Sequence, residues 1–319
     1  MFTERFARSL MVISVLGAMP LLGCGADAAH EPDTGVAATA RAAASGTVPA
    51  PTPGAAVTAT PGAPVQVPAA NKARFPAPAD VDNRMFPLVS GTQLVYRGKI
   101  IEGGVSTPHS VVFTVTDLTK VVDGVRTVVA WDRDFLDGQL QEQELAFFAQ
   151  DDTGNVWNFG EYPEEYESGK FAGAPSTWIK GRRGAYGGIH MLARPRAGAK
   201  YVEGLVPAIE FDDLSRVSRT GQMTCVLSGC FRHVLVVDET SPNDPASGHQ
   251  IKYYAPNIGL IRVGARGGDS QEFLGLAAVR HLGPPAMAGV RESVLAMDRR
   301  AYRVSDVYRV TRPALQGHR

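Results

Sequence analysis

Ser110-Val-Val-Phe-Thr-Val-Thr116 places Val111, Phe113 and Val115 on one face of an extended chain, with Ser110, Thr114 and Thr116 beside Val112 on the other. A period of two marks a half-buried strand, because successive side chains of an extended backbone point to opposite faces. Reading backwards, Leu94-Val95-Tyr96 begins an earlier strand. Reading forwards, Asp123-Gly124 makes a turn before Val125 to Trp131, and Asp137-Gly138 is a two-residue hairpin signal before Leu140 to Gln150. In that fourth strand Leu145, Phe147 and Ala149 share a face. Thr153-Gly154-Asn155 then turns the chain into Val156-Trp157-Asn158-Phe159. These segments predict a meander of antiparallel strands joined by tight turns.

From about Gly160 to Ala199 the alternation breaks into a Gly-rich, aromatic stretch containing Tyr162, Tyr166, Phe171, Trp178 and Tyr186. Strands resume near Tyr201, over Ser215 to Val226, Phe231 to Val237, Gln250 to Tyr254, Gly259 to Val263 and Gln271 to His281. Beyond Pro284-Pro285, Met287, Val290, Val294 and Leu295 suggest one helix, with Met297 off-phase, before a tail carrying Arg299, Arg300, Arg303, Arg309, Arg312 and Arg319. The expected fold is mostly β: a curved antiparallel sheet, half-barrel or open barrel, with an irregular aromatic insertion and a short C-terminal helix.

The N-terminus carries Arg5 and Arg8, an apolar run from Leu10 to Leu22, then Gly23 and Cys24. This is the order of a secretory signal, and the run falls short of the ~20 residues a spanning helix needs. Leu21-Leu22-Gly23-Cys24 resembles the lipobox of bacterial lipoproteins. The resemblance implies cleavage after residue 23 and acylation, of the palmitate type, at Cys24. Gly25 stands where an Asp often marks inner-membrane retention in Gram-negative lipoproteins, so the expected location is the cell envelope, lipid-anchored at the outer membrane and facing the periplasm or the outside. Residues 24–80 are rich in Ala, Pro, Thr and Gly and read as a disordered tether. The division is therefore 1–23 signal, 24–80 tether, 81–283 β-rich domain, and 284–319 C-terminal helix and basic tail. The chain carries equal acidic and basic counts, 32 each, which argues against a nucleic-acid partner.

Three stretches, Phe86 to Tyr96, Ala149 to Glu161 and Tyr253 to Val263, resemble an uncharacterised family of secreted and lipid-anchored bacterial proteins. The last, Tyr253-Tyr-Ala-Pro-Asn-Ile-Gly-Leu-Ile-Arg-Val263, is also similar to a strand motif of Lol-type half-barrel envelope proteins. The resemblance implies a curved sheet around an apolar concavity and transfers no catalytic residue. Read by itself, the motif is an extended chain, a turn at Pro256 and Gly259, and a return into a buried strand.

Cys225 and Cys230 bracket a predicted turn, and in an oxidising compartment they most simply form a disulfide. Asp151, Asp152 and Asn155 supply hard oxygen donors in one turn, with Glu161, Glu164, Glu165 and Glu167 following. The same residue types also serve a hairpin turn on conformational grounds. His190, beside Met191, is the one histidine with a conceivable copper role; a packed histidine is the simpler reading. No metal or cofactor is called for, and no nucleophile elbow, zinc helix, phosphate loop or dinucleotide fingerprint is present in the sequence.

The leading expectation is a non-enzymatic envelope lipoprotein. Its concave surface, lined by Trp157, Phe159, Tyr162, Tyr166, Trp178 and Tyr186, would take an apolar or amphipathic partner: lipid, lipoprotein or another envelope component. For each aromatic the plain alternative is core packing. The rival readings are a secreted polymer hydrolase drawing its acid or base from Glu161 to Glu167, and a scaffold subunit of an outer-membrane assembly.

Overall fold

The computed structural model describes residues 73–317. The signal, Cys24 and the tether up to residue 72 lie outside the described residues. The strands are β1 (Thr92–Glu102), β2 (Val105–Val122), β3 (Val125–Leu136), β4 (Gln139–Gln150) and β5 (Val156–Glu167), then short β6 (Lys170–Gly173), β7 (Trp178–Ile179), β8 (Tyr186–Gly187) and β9 (Ile189–Met191). There follow β10 (Lys200–Val206), β11 (Phe211–Val226), β12 (Gly229–Thr240), β13 (His249–Ala255), β14 (Gly259–Arg266) and β15 (Ser270–His281). The chain ends in α1 (Pro284–Val304), α2 (Asp306–Arg309) and β16 (Leu315–Gln316), which pairs with β2. Two meanders, β1–β6 and β10–β15, join where β1 pairs with β15, giving the order β6-β5-β4-β3-β2-β1-β15-β14-β13-β12-β11-β10-β8. The architecture is the expected one: mostly antiparallel β, curved, and not closed.

β5 and β10 are not paired to one another. The segment 186–191 runs between them and bonds to both: Asn158 N donates to Gly188 O at 2.9 Å, and Gly188 N donates to Glu203 O at 3.0 Å. Glycine is required there. A Cβ on Gly187 would stand 2.2 Å from Asn158 O, and one on Gly188 would stand 2.1 Å from Val202 O. The Gly-rich insertion thus fills the seam of an open barrel.

The sheet buries two apolar layers. The first takes Val111, Phe113 and Val115 of β2, Ala146 and Phe148 of β4, Val217 of β11, Val237 of β12 and Leu276 of β15. A layer shared by strands all round the sheet lies on its concave side. The second takes Leu145, Phe147 and Ala149 of β4 with Trp157 and Phe159 of β5, and is covered by Val290, Val294, Met297 and Ala301 of α1 and Tyr308 of α2. The alternation in β4 therefore divides inward Ala146 and Phe148 from outward Leu145, Phe147 and Ala149. β5 would lose that alternation at Gly160, whose φ of 147° allows a bulge; opposite Ala146 and Phe148 of β4 stand Glu161 and Asn158.

Several details differ from the sequence expectations. β5 continues through the supposedly irregular stretch to Glu167, because the bulge at Gly160 breaks the pattern without ending the strand. In α1 the buried positions are Met287, Val290, Val294, Met297, Asp298 and Ala301, so Met297 is in phase and Leu295 is peripheral. Arg300, placed by the sequence in the basic tail, belongs to α1 and grips both oxygens of Glu164 at 2.6 Å; Arg291 of the same helix pairs with Asp117. Residues 73–80, read as the end of the tether, lie against the domain, with Phe75 edge-on to Phe159 at 5.3 Å and to Trp157 at 6.2 Å. One detail agrees: Cys225 and Cys230 are joined as the expected disulfide.

Candidate functional site

The concave layer is apolar at one end and charged toward the other. On β3 the inward series Val128, Ala130 continues as Asp132 and Asp134; on β4, Phe148 and Ala146 continue as Glu144 and Glu142. His109 of β2 joins this set, its Nε2 2.7 Å from Asp134 Oδ1 and its Nδ1 3.2 Å from Glu272 Oε1 of β15. The second contact is close enough for charge pairing but not aligned as a hydrogen bond. Gln250 donates to the other oxygen of Glu272 at 3.0 Å. Across the interior, Lys252 of β13 donates to both oxygens of Glu239 of β12 at 2.8 Å. Ser215 donates to Glu203 of β10, whose other oxygen lies 3.1 Å from His190 Nδ1.

Burial sets the protonation of these groups. Burial, then the charge of Asp134, pushes Asp132 up to about 7. Burial also pushes Glu272 up to about 7, against the pairing with His109. For His109, burial acts downward, but the hydrogen bond with Asp134 and the charges of Asp134 and Glu272 outweigh it and hold the ring up at about 10. Glu144 is raised well above the usual carboxylate range by burial and by Glu161, Glu142 and Asp132. Each of these side chains is at most 7% exposed, so no reactant reaches them in this conformation. Burial thus favours the protonated form of Asp132, Glu144 and Glu272.

The sequence-nominated residues fall in several places. Asp151 organises its own turn: Oδ1 accepts from Thr153 N, Thr153 Oγ1 and Asn155 N, and Oδ2 from Asn155 Nδ2 and Trp157 Nε1. Against burial, these bonds, led by that of Trp157, hold its carboxyl below the usual range. Asp152 is exposed, its amide bonded to Arg74 O. His190 packs on Phe86 at 4.3 Å and Phe148 at 5.1 Å, and burial with the Lys252 charge lowers it to about 3, leaving a neutral ring. Among the described residues no group of three His, Cys, Asp or Glu side chains is arranged to hold a metal ion.

The six aromatics do not share one surface. Trp157, Phe159 and Tyr162 are buried on the outer side of β5, in the layer that α1 and α2 cover. Tyr162 and Tyr166 both donate to Glu164, and Tyr186 is half-buried against the same layer. Of the acidic run, Glu161 accepts from Asn158 and from Trp178 Nε1, the latter at 2.8 Å, while Glu164 is committed to Arg300.

Trp178 alone belongs elsewhere. It stacks on Phe211 at 5.9 Å and packs with Ala185 and Val206. It also floors a surface pocket of about 180 Å³ built from three distant segments: the insertion (Trp178, Ile179), the β10–β11 turn (Val206, Ile209) and the α1–α2 junction (Val304, Val307). Exposed Arg182 and Arg183 also line it, with Thr177, Ser305 and Asp306, and Arg183 is paired with Asp306. Sequence reasoning found Trp178 but not its partners, because nothing local links residues 178, 209 and 307. Of the interior acids, Glu142 and Glu144 fall within the strand expected over Leu140 to Gln150, whereas Asp132 and Asp134 lie beyond the expected end of the third strand at Trp131.

No protein-family model matches the chain, and no curated protein matches it. Among solved structures, a protein of Bacteroides fragilis NCTC 9343 described as exported and as having a YmcC-like fold is 14% identical. That match covers 62% of this chain and 99% of that one, with a TM-score of 0.36. A protein of Parabacteroides distasonis ATCC 8503 described as a lipoprotein is also 14% identical, with the same coverage and a TM-score of 0.29. No residue role is carried over from either.

Proposed function

We propose that the mature protein is an envelope lipoprotein held at the outer membrane through Cys24, and that its β domain is a non-enzymatic binding module for a small amphipathic group. The anchor is supported by the signal and lipobox-like order that ends in Leu21-Leu22-Gly23-Cys24. The single observation carrying the binding role is the pocket at Trp178, whose lining joins apolar side chains to Arg182, Arg183, Thr177, Ser305 and Asp306. At about 180 Å³ it is smaller than the roughly 300–1,000 Å³ that encloses a drug-sized ligand. It therefore suits part of a larger molecule: one short apolar limb, with an anionic or polar group at the arginines.

The test is native extraction followed by mass spectrometry of whatever stays bound. The wild type is expected to retain a small amphipathic molecule, and Ile209→Trp, which fills the half-buried rim of the pocket, to lose it. An empty wild type, or retention unchanged in Ile209→Trp and in Arg182→Glu with Arg183→Glu, overturns the binding role.

A further inference from the structure

We infer that the β11–β12 hairpin is a second membrane contact, laid on an anionic lipid surface at the end of the sheet where the anchoring segment enters. The inference rests on the reading of Cys24 as the lipidated residue. β13 pairs with β12 only over Leu235–Thr240, so the hairpin beyond runs on as a two-stranded ribbon past its neighbour. Such a ribbon is marginal by itself. Here the Cys225–Cys230 disulfide crosslinks it, and the Ser228 amide fastens the tip to Leu276 O at 3.0 Å. Val226 and Phe231 pack against the core, while Met223 is 64% and Leu227 72% exposed. A braced tip that turns two large apolar side chains to solvent is suited to an apolar cover.

Charge and chain path identify the cover. From Leu214 to Val237 there is no Asp or Glu, whereas Arg216, Arg219 and Arg232 are exposed and His233 follows. Apolar tips flanked by arginine suit the headgroup boundary of an anionic bilayer. The antiparallel register sets the β11–β12 turn at the same sheet end as the β4–β5 and β13–β14 turns. The incoming chain crosses that end: Arg74 O accepts from the Asp152 amide and Arg84 O from the Asn257 amide. The sequence reads residues 25–72 as a Pro-rich tether leading to Cys24, and on that reading the tip is held at high local concentration over the membrane.

The test is hydroxyl-radical footprinting of the full acylated protein reconstituted in vesicles of phosphatidylcholine with phosphatidylglycerol, or of phosphatidylcholine alone. Oxidation of Met223 is read against exposed Val105, at the opposite sheet end. Met223 is expected to be protected in the anionic vesicles, and each of Arg219→Glu and Arg232→Glu to weaken docking about fivefold or more. Leu227→Glu should abolish protection; all three sites are exposed, so an unchanged melting profile verifies the fold. Equal oxidation in both vesicle types, or protection that survives the double arginine reversal, overturns the docking. The intact mass of the mature chain reads the anchor separately. If Cys24 carries no acyl group the anchor reading fails, and the same footprint on that unacylated chain mixed with anionic vesicles still decides the docking.

Discussion

Gly187 and Gly188 let one strand-like segment pass between two sheet edges, and no other residue type has room there. Because a Cβ on Gly188 would sit 2.1 Å from the Val202 carbonyl oxygen, Gly188→Ala must push β10 away and break its bond to Glu203. We expect Gly188→Ala to cost about 2–4 kcal/mol in urea unfolding, whereas Gly104→Ala, with nothing near its Cβ, is limited to backbone strain at its positive φ. Equal and small losses at both positions would show that the seam tolerates separation. His190 sits beside this pair for the same reason: the glycines set β9 close enough to β10 for His190 to reach Glu203. Its type invited a metal role; its position, against Phe86 and Phe148, makes it a packed neutral ring.

At the scale of elements, α1 joins the sheet through an apolar stripe and a set of buried polar contacts. Lys120 of β2 donates to Asp298 at 2.9 Å, to Tyr302 at 3.0 Å and to Arg312 O at 2.7 Å, and Tyr308 also donates to Asp298. Burial lowers the Lys120 ammonium to about 8 despite the Asp298 charge, so the join is polar at a cost. Val294, fully buried at the centre of the stripe, is where a charge does most harm. Val294→Asp should cost more than about 3 kcal/mol and undock the helix, exposing Trp157 and Phe159 to a hydrophobic dye. Dye binding unchanged from wild type would mean that the helix contributes little cover. Meander and helix were both readable from periodicity. The phase of Met297 was not, because apolar and small residues at 295–297 fit two registers until a sheet selects one.

For the whole molecule, the interior acids link stability to pH. Asp132 and Glu272 have folded values of about 7, above the ordinary carboxylate values of 3.8 and 4.5. Their contribution is complete below the unfolded values and is lost as pH rises through 7. His109, raised from 6.5 to about 10, acts in the same direction between those values. His190, lowered to about 3, and Asp151, also lowered, act oppositely, but only on the acid side of their unfolded values; Lys120 does so above about 8. Between about pH 6 and pH 8 stability should therefore fall, by on the order of 1–2 kcal/mol per pH unit, and Asp132→Asn should flatten the trend. A melting temperature that climbs over that interval contradicts the assignment. The main strands on either side of the insertion, several of their turns, the shared face of Val111, Phe113 and Val115 and the Cys225–Cys230 pairing were determined by sequence, because alternation and turn chemistry act over a few residues; β6–β9 and β16 were not. Only the tertiary structure decided which face of each strand is concave, that Trp157 and Phe159 lie beneath α1, and that Asp132 and Glu272 are enclosed. The physical reason is that a period of two names two faces without saying which will curve inward; curvature arises from pairings such as β1 with β15, between strands far apart in the chain.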